Sequence, residues 1–176
     1  MIDEAERVVL VDEEDRERGA HSKLSAHREA LRHRAFSVFI FDSQGRALLQ
    51  SRSLAKYHSG GLWSNACCGH PRPGESSEAA AGRRLAEEMG IEVRLRPVGQ
   101  LSYFAELAGG WFENEIVHLF TGFSDEAPRP DPGEVRGWRR VEPDDLLAEV
   151  ARAPENFTTW FGIYLSRVPE IALGRA

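Results

Sequence analysis

Two short stretches carry side chains whose types and spacing could do chemistry. The first is Asn65-Ala66-Cys67-Cys68-Gly69-His70-Pro71, where a thiol and an imidazole flank one glycine. It opens a longer pattern. After Gly69 and five intervening residues comes Glu75, and after seven more comes Arg83-Arg84-Leu85-Ala86-Glu87-Glu88-Met89-Gly90-Ile91. The second is Phe112-Glu113-Asn114-Glu115-Ile116. In a strand, alternate residues share a face, so Glu113 and Glu115 would stand side by side. Two such carboxylates repel unless a cation or a shared proton relieves them.

Imidazoles could supply the reason for a cation. His27 and His33 lie six apart, and His70 follows the Cys-Gly step. Each alone is an ordinary polar residue. Three imidazoles with two carboxylates make a set for a divalent transition metal such as Mn²⁺ or Zn²⁺. His21, His58 and His118 have no such partners and are read as structural or surface residues. Cys68 is either a small buried apolar side chain or, beside a metal or cation, a reactive thiol. Cys67, on the opposite face by alternation, is the inert one of the pair.

The Arg83–Met89 stretch reads as part of a helix, with Arg84 and Glu88 four apart on one face and Glu87 three from Arg84. A solvated face laced with ion pairs is the plain reading. Carboxylate oxygens on one helical face also suit Mg²⁺, which keeps several waters and binds substrate phosphates. An arginine among them suits a diphosphate oxygen through paired N–H donors. Lys23, Arg52 and Lys56 add positive charge in the first half, although such residues are usually plain surface.

Elements to position these groups can be read along the chain. Strands are expected over residues 7–11, 35–41, 46–51, 62–67, 91–95, 98–106, 115–123 and 134–140. Residues 12–34 read as polar. The clearest helix spans 76–89, with Ser76 or Ser77 as cap, Glu78 at its positive end and Gly90 just past its end. Helices are also expected over 144–152, after Pro143, and over 156–167, where Trp160, Phe161, Tyr164 and Leu165 fall at helical spacing. Strands interleaved with helices on two faces give an α/β sandwich.

At 176 residues the chain fits one domain, 1–176, with segment 1–34 part of it. With 41% hydrophobic residues it can build a core, and a net charge of -6 argues against nucleic acid as main partner. No apolar run reaches the roughly 18 residues that span a bilayer, and the acidic start is unlike a signal peptide. Adjacent cysteines make a poor structural disulfide, which fits a reducing cytoplasm. A lone domain of this size is expected to be a monomer.

Taken together, these motifs resemble the type 1 isopentenyl-diphosphate isomerases, a family of Nudix fold. The resemblance covers about residues 7–165 and rests on four motifs. They are Asn65 to Pro71; the Nudix box, with Arg84 where the box usually carries Glu; Glu113-Asn114-Glu115; and Phe157-Thr158-Thr159-Trp160. It implies a single-domain α/β/α sandwich with a mixed central sheet. It implies Cys68 and Glu115 as the catalytic pair, Tyr103 as hydrogen-bond partner of the catalytic carboxylate, and Trp160 facing a cationic centre. It implies His27, His33, His70, Glu113 and Glu115 as ligands of a divalent metal, Mn²⁺ or Zn²⁺. Glu88 would hold Mg²⁺ against a diphosphate, and Lys23, Arg52, Lys56 and Arg84 would bind that diphosphate. The family often spaces its first two histidines seven apart, one more than here. The implied activity is conversion of isopentenyl to dimethylallyl diphosphate through a tertiary carbocation. The alternative is a Nudix pyrophosphohydrolase acting on a nucleoside diphosphate derivative; it predicts Glu at 84 and gives Cys68, His70 and the Glu113/Glu115 pair no task.

Overall fold

A computed structural model describes residues 6–175. Its spine is β3 (His33–Phe41), whose side chains are buried almost without interruption. Such a strand needs cover on both faces. Ala35, Phe39 and Phe41 join one core, and Phe36, Val38 and Ile40 join another. β8 (Trp111–Phe123) runs parallel to β3 from His33↔Glu115 to Phe41↔Phe123. β7 (Arg96–Leu107) pairs antiparallel with β8 and places Tyr103 opposite Glu115. On the other edge of β3, β6 (Cys67–Gly69) runs antiparallel and sets Cys68 opposite Ser37.

β4 (Ala47–Arg52) joins the end of β3 and carries β5 (Trp63–Asn65) and β9 (Val135–Val141) on its two edges. β1 (Arg7–Val11) touches the start of β3 and pairs with β2 (Glu17–Ser22). The mixed sheet therefore has parallel and antiparallel ladders. No described helix is long and apolar enough to cross a membrane.

Helix α2 (Ser77–Met89) covers one face. Ser76 Oγ accepts from Ala79 N, which fixes its start. Gly90 ends it at φ 64°, and a Cβ there would lie 2.5 Å from Arg129 O, so glycine is required twice over. Ala80 and Ala81 bring the helix close to the sheet while Leu85 and Met89 fill the core. Burying two such large side chains stabilises the layer by ~1.5–3 kcal/mol each. The opposite face carries α3 (Pro143–Arg152), α4 (Thr159–Arg167) and α5 (Pro169–Ala172), with Leu146, Trp160, Phe161, Tyr164 and Ala172 in its core. The architecture is the expected α/β/α sandwich.

Four expectations about elements need correction. Residues 12–34 are not featureless: they hold β2 and α1 (Lys23–Arg28), a helix capped by Ser22 Oγ. Residues 91–95 form no strand; Ile91 and Leu95 are buried, but no neighbouring strand pairs with them. The strand expected over 62–67 is two strands, because the chain leaves β4 at Asn65 and joins β3 at Cys67. The last long helix starts at Thr159 and not at 156, because Phe157 forms an extended bridge to Trp63.

Candidate active site

Register puts the chemistry on one face of the sheet. His33 and Glu115 are paired residues of neighbouring strands, and Tyr103 is paired with Glu115 from the other side. Cys68 sits across from Ser37, two residues from His33's face-mate Ala35, and His70 lies one face-step further along the same chain. His27 arrives from α1. A turn with Ala30 at φ 54° then returns the chain to His33, so six residues suffice between the two histidines.

His27 Nε2, His33 Nε2 and His70 Nε2 lie 3.9, 3.4 and 3.0 Å from Glu115 Oε1. The four side chains offer ligand atoms all within 4.8 Å of one another. Two details say what this grouping wants. His27 Nδ1 is 2.8 Å from Lys23 O, and His33 Nδ1 is 2.7 Å from Leu31 O. A carbonyl can only accept, so each Nδ1 carries the proton and each Nε2 presents a lone pair inward. His33 Nε2 and His70 Nε2 also approach to 3.2 Å, which is repulsive without a proton or cation between them. Burial, followed by the neighbouring imidazoles, holds the basicity of His27 down at about 2. Neutral imidazoles with one carboxylate are the donor set of a divalent transition metal, so the residues fit the expected ion.

Glu113 lies outside that four-donor group. Its Oε2 is 2.8 Å from the Tyr103 hydroxyl, which is also 2.9 Å from Glu115 Oε2. That hydroxyl has one proton for two acids. Burial and the charge of Glu115 push Glu113 well above the usual carboxylate range. Burial also acts against Glu115, but the imidazoles of His33 and His70 beside it overcome it and hold Glu115 well below.

Cys68 Sγ lies 3.2 Å from Ser37 Oγ and 3.2 Å from Asn65 Oδ1. Burial pushes its thiol up to about 12 against these hydrogen bonds. Cys67 is fully buried in the α2 core beside Glu88, as alternation requires. Trp160 is pinned by its Nε1, which donates to Ser64 Oγ at 2.9 Å, and the Arg52 guanidinium stands 5.0 Å from its ring centroid.

A cleft of about 70 Å³ is lined by Cys68, His70, Glu115, Tyr103, Trp160 and Glu88, among others. Lys23, Arg52, Lys56, Arg84, His27 and Glu113 also line it, so it gathers every expected site residue except His33, which lies behind the wall. Glu88 is buried on α2, where Arg84 and Gln50 donate to it. Arg84 also pairs with Glu87 at 2.8 Å, and Arg83 binds Glu75 through two contacts of 2.8 Å.

Two wall residues escaped the sequence reading. His58, read as structural or surface, stacks 5.9 Å from His27 and meets the Trp160 ring edge-on at 5.8 Å. Burial, then the charge of Arg52, depresses it to about 3, so it is a neutral ring in the wall. Tyr57 stands beside it and packs on Trp111. Their signal was proximity to Lys56 in a glycine-closed loop. His118 fits its structural reading, since it pairs with Asp15 at 2.7 Å away from the cleft.

Similarity to known proteins follows this geometry. The NUDIX domain profile matches residues 31–161. An isopentenyl-diphosphate Delta-isomerase of Burkholderia multivorans is 51% identical over 162 residues, 92% of each chain. One from Serratia proteamaculans is 49% identical over 89% of this chain and 87% of its own. Among solved structures, a Deinococcus radiodurans protein superposes with TM-score 0.71 at 25% identity, covering 84% of this chain and 90% of its own. A MutT NUDIX hydrolase from Burkholderia pseudomallei shares the fold at TM-score 0.61 and 23% identity, over 78% of this chain and 98% of its own.

Proposed function

This chain belongs to the NUDIX-domain family and, within it, to the isopentenyl-diphosphate Delta-isomerases, and on that premise we propose that it converts isopentenyl diphosphate to dimethylallyl diphosphate. The observation that carries the reading is one cleft holding a thiol, a paired carboxylate and a cluster of inward imidazole lone pairs. A plain diphosphate hydrolase has no task for that combination.

The reaction adds a proton at C4 and removes one from C2, with a tertiary cation at C3 between the two steps. An alkene is a poor base, so the donor must be well placed in a pocket that excludes water. Glu115 is our donor, its proton arriving through the Tyr103 hydroxyl that bridges its Oε2 to Glu113. Cys68, as the thiolate, is our acceptor of the C2 proton, with Ser37 and Asn65 orienting its sulfur. The two roles exchange when the reaction runs backwards. Trp160 supports the cation through its ring, an interaction worth ~0.5–2 kcal/mol.

His27, His33, His70 and Glu115, with Glu113 as the fifth candidate, would hold a divalent transition metal, Mn²⁺ or Zn²⁺. Glu88 would hold Mg²⁺ beside the diphosphate, with Lys23, Arg52, Lys56 and Arg84. When bound, these ions neutralise negative charge and fix the carboxylates. The protein is further proposed to act as a monomer in a reducing cytoplasm, where Cys68 stays a thiol, and without nucleic acid.

The test is incubation with isopentenyl diphosphate, Mg²⁺ and Mn²⁺ in deuterated water, followed by NMR. Dimethylallyl diphosphate with deuterium in its new methyl group, and no phosphate release, is the expected result. Phosphate release would instead support the pyrophosphohydrolase. Against that alternative stands Arg84, an arginine where the box usually carries Glu.

A further inference from the structure

Three of the four cations assigned to the diphosphate are already gripped by two carboxylates from outside the box. Glu6 Oε2 accepts from Lys23 Nζ at 2.9 Å, and the Lys23 amide donates to Glu6 O at 2.8 Å. Glu134, just before β9, takes two cations at once. Its Oε2 accepts from Lys56 Nζ, and its Oε1 lies 3.2 Å from Arg84. Glu134 is itself fixed through its backbone, since Ser53 N donates to Glu134 O at 2.9 Å and Glu134 N donates to Asp131 O at 3.0 Å. Both acids line the vestibule next to the cleft, together with Lys23, Lys56 and Arg84. Burial pulls the two carboxyls up, but Lys23 at one and Lys56 with Arg84 at the other bring both below the ordinary range. Each is a carboxylate at neutral pH.

The geometry points to Glu6 and Glu134 as counter-ion positioning residues: they occupy the place of the diphosphate in the free protein, yield it on binding, and retake Lys23, Lys56 and Arg84 as product leaves. This inference rests on the isomerase reading of the site. Its logic is energetic. Substrate and product carry the same diphosphate, remote from the carbons that react. Contacts with it hold both species equally and do nothing for the chemical step. Without the two acids Lys23 and Lys56 would face a diphosphate with no carboxylate partner and Arg84 with Glu87 and Glu88 alone, a grip that slows release. Carboxylates that compete for those cations weaken the grip while keeping the cations oriented for the next molecule. Two competing negative charges also answer part of the positive charge that would otherwise collect in a partly buried vestibule.

The experiment is calorimetric titration of inorganic pyrophosphate, with Mg²⁺, into the wild type, Glu6→Gln, Glu134→Gln and the double variant. Turnover of isopentenyl diphosphate is measured alongside. Glutamine keeps the size and one acceptor oxygen, and the backbone bonds of both residues are untouched. Each single variant should bind pyrophosphate about two- to five-fold more tightly, the scale of a partly screened ion pair. The effects should multiply in the double variant, because the two acids guard different cations. KM should fall in step, with no rise in kcat. A merely structural role predicts the opposite sign, since misplaced cations would weaken pyrophosphate binding and raise KM. Unchanged or weaker pyrophosphate binding in both single variants overturns the inference while leaving the isomerase reading intact. A wild type that binds pyrophosphate but never turns over isopentenyl diphosphate overturns the isomerase reading, and the variants' pyrophosphate affinities still decide the inference.

Discussion

Gly69→Ala should cripple turnover out of proportion to its effect on folding. Gly69 lies between Cys68 and His70 and pairs with Phe36 across the β3–β6 ladder. A Cβ built at this position meets Phe36 Cζ at 2.9 Å and Cε1 at 3.3 Å. The Phe36 ring is 1% exposed and packed beneath α2, so it has little room to retreat. Overpacking of this kind costs about 1–3 kcal/mol. For a domain of this size each kcal/mol lowers Tm by roughly 2–4 °C, so the expected drop is about 2–12 °C. The strain has a second outlet: β6 can pull away from β3. That would carry Cys68 off Ser37 and His70 off Glu115, now 3.0 Å apart. Misplacement of reacting groups by about 1 Å can cost on the order of 100-fold in rate. Thermal unfolding gives the first number, and NMR-monitored turnover at 25 °C, far below Tm, gives the second. Adding Phe36→Leu should return part of the lost Tm. A Gly69→Ala protein with wild-type Tm and wild-type turnover would refute the reasoning.

Cys68→Ala should abolish turnover while calorimetry still detects pyrophosphate binding; retained activity would remove the thiol from the mechanism. Tyr103→Phe deletes the hydroxyl shared by Glu113 and Glu115. A hydrogen bond to a charged group is worth ~1.5–3 kcal/mol, so kcat should fall about 10- to 100-fold with KM little changed. A fall confined to KM would contradict that placement. His27→Asn should weaken Mn²⁺ binding by about ten-fold or more, read by calorimetry without substrate. Unchanged affinity would exclude His27 from the ligand set.

How far these features could be read from the chain differs by element, for physical reasons. β3 was legible because an unbroken apolar run has few alternatives, and α2 because its caps and its small face are local. The four site motifs were legible because each residue's chemistry is written in its type. β2 and α1 were not legible: β2 is an exposed edge strand without alternation, and α1 has six residues, too few for a hydrophobic stripe. Without α1, the six-residue gap between His27 and His33 could only look short. The structure closes it with one turn. Residues 91–95 misled because Ile91 and Leu95 are buried by packing under α2 and not by pairing in the sheet. His58 misled because ring stacking across the fold leaves no trace in spacing.

The two faces of the sheet divide the proposed work. The box helix lies on one face, and the box acids are largely answered within the chain: Glu75, in the loop before the helix, by Arg83, and Glu88 by Arg84 and Gln50. At box position 84 an arginine stands in place of a carboxylate, and in the proposed reading it holds a diphosphate that is not cut. The other face carries Tyr103, Glu115, His33 and Cys68, brought together by register across four strands. Gln50 ties the two sides, since its Nε2 donates both to Ala66 O, at the step between β5 and β6, and to Glu88. The diphosphate end of a ligand would meet the helix, and its hydrocarbon end would meet the thiol and the carboxylate. One fold could thus exchange bond cleavage at phosphorus for proton transfer at carbon by changing box position 84 and recruiting side chains the box never used.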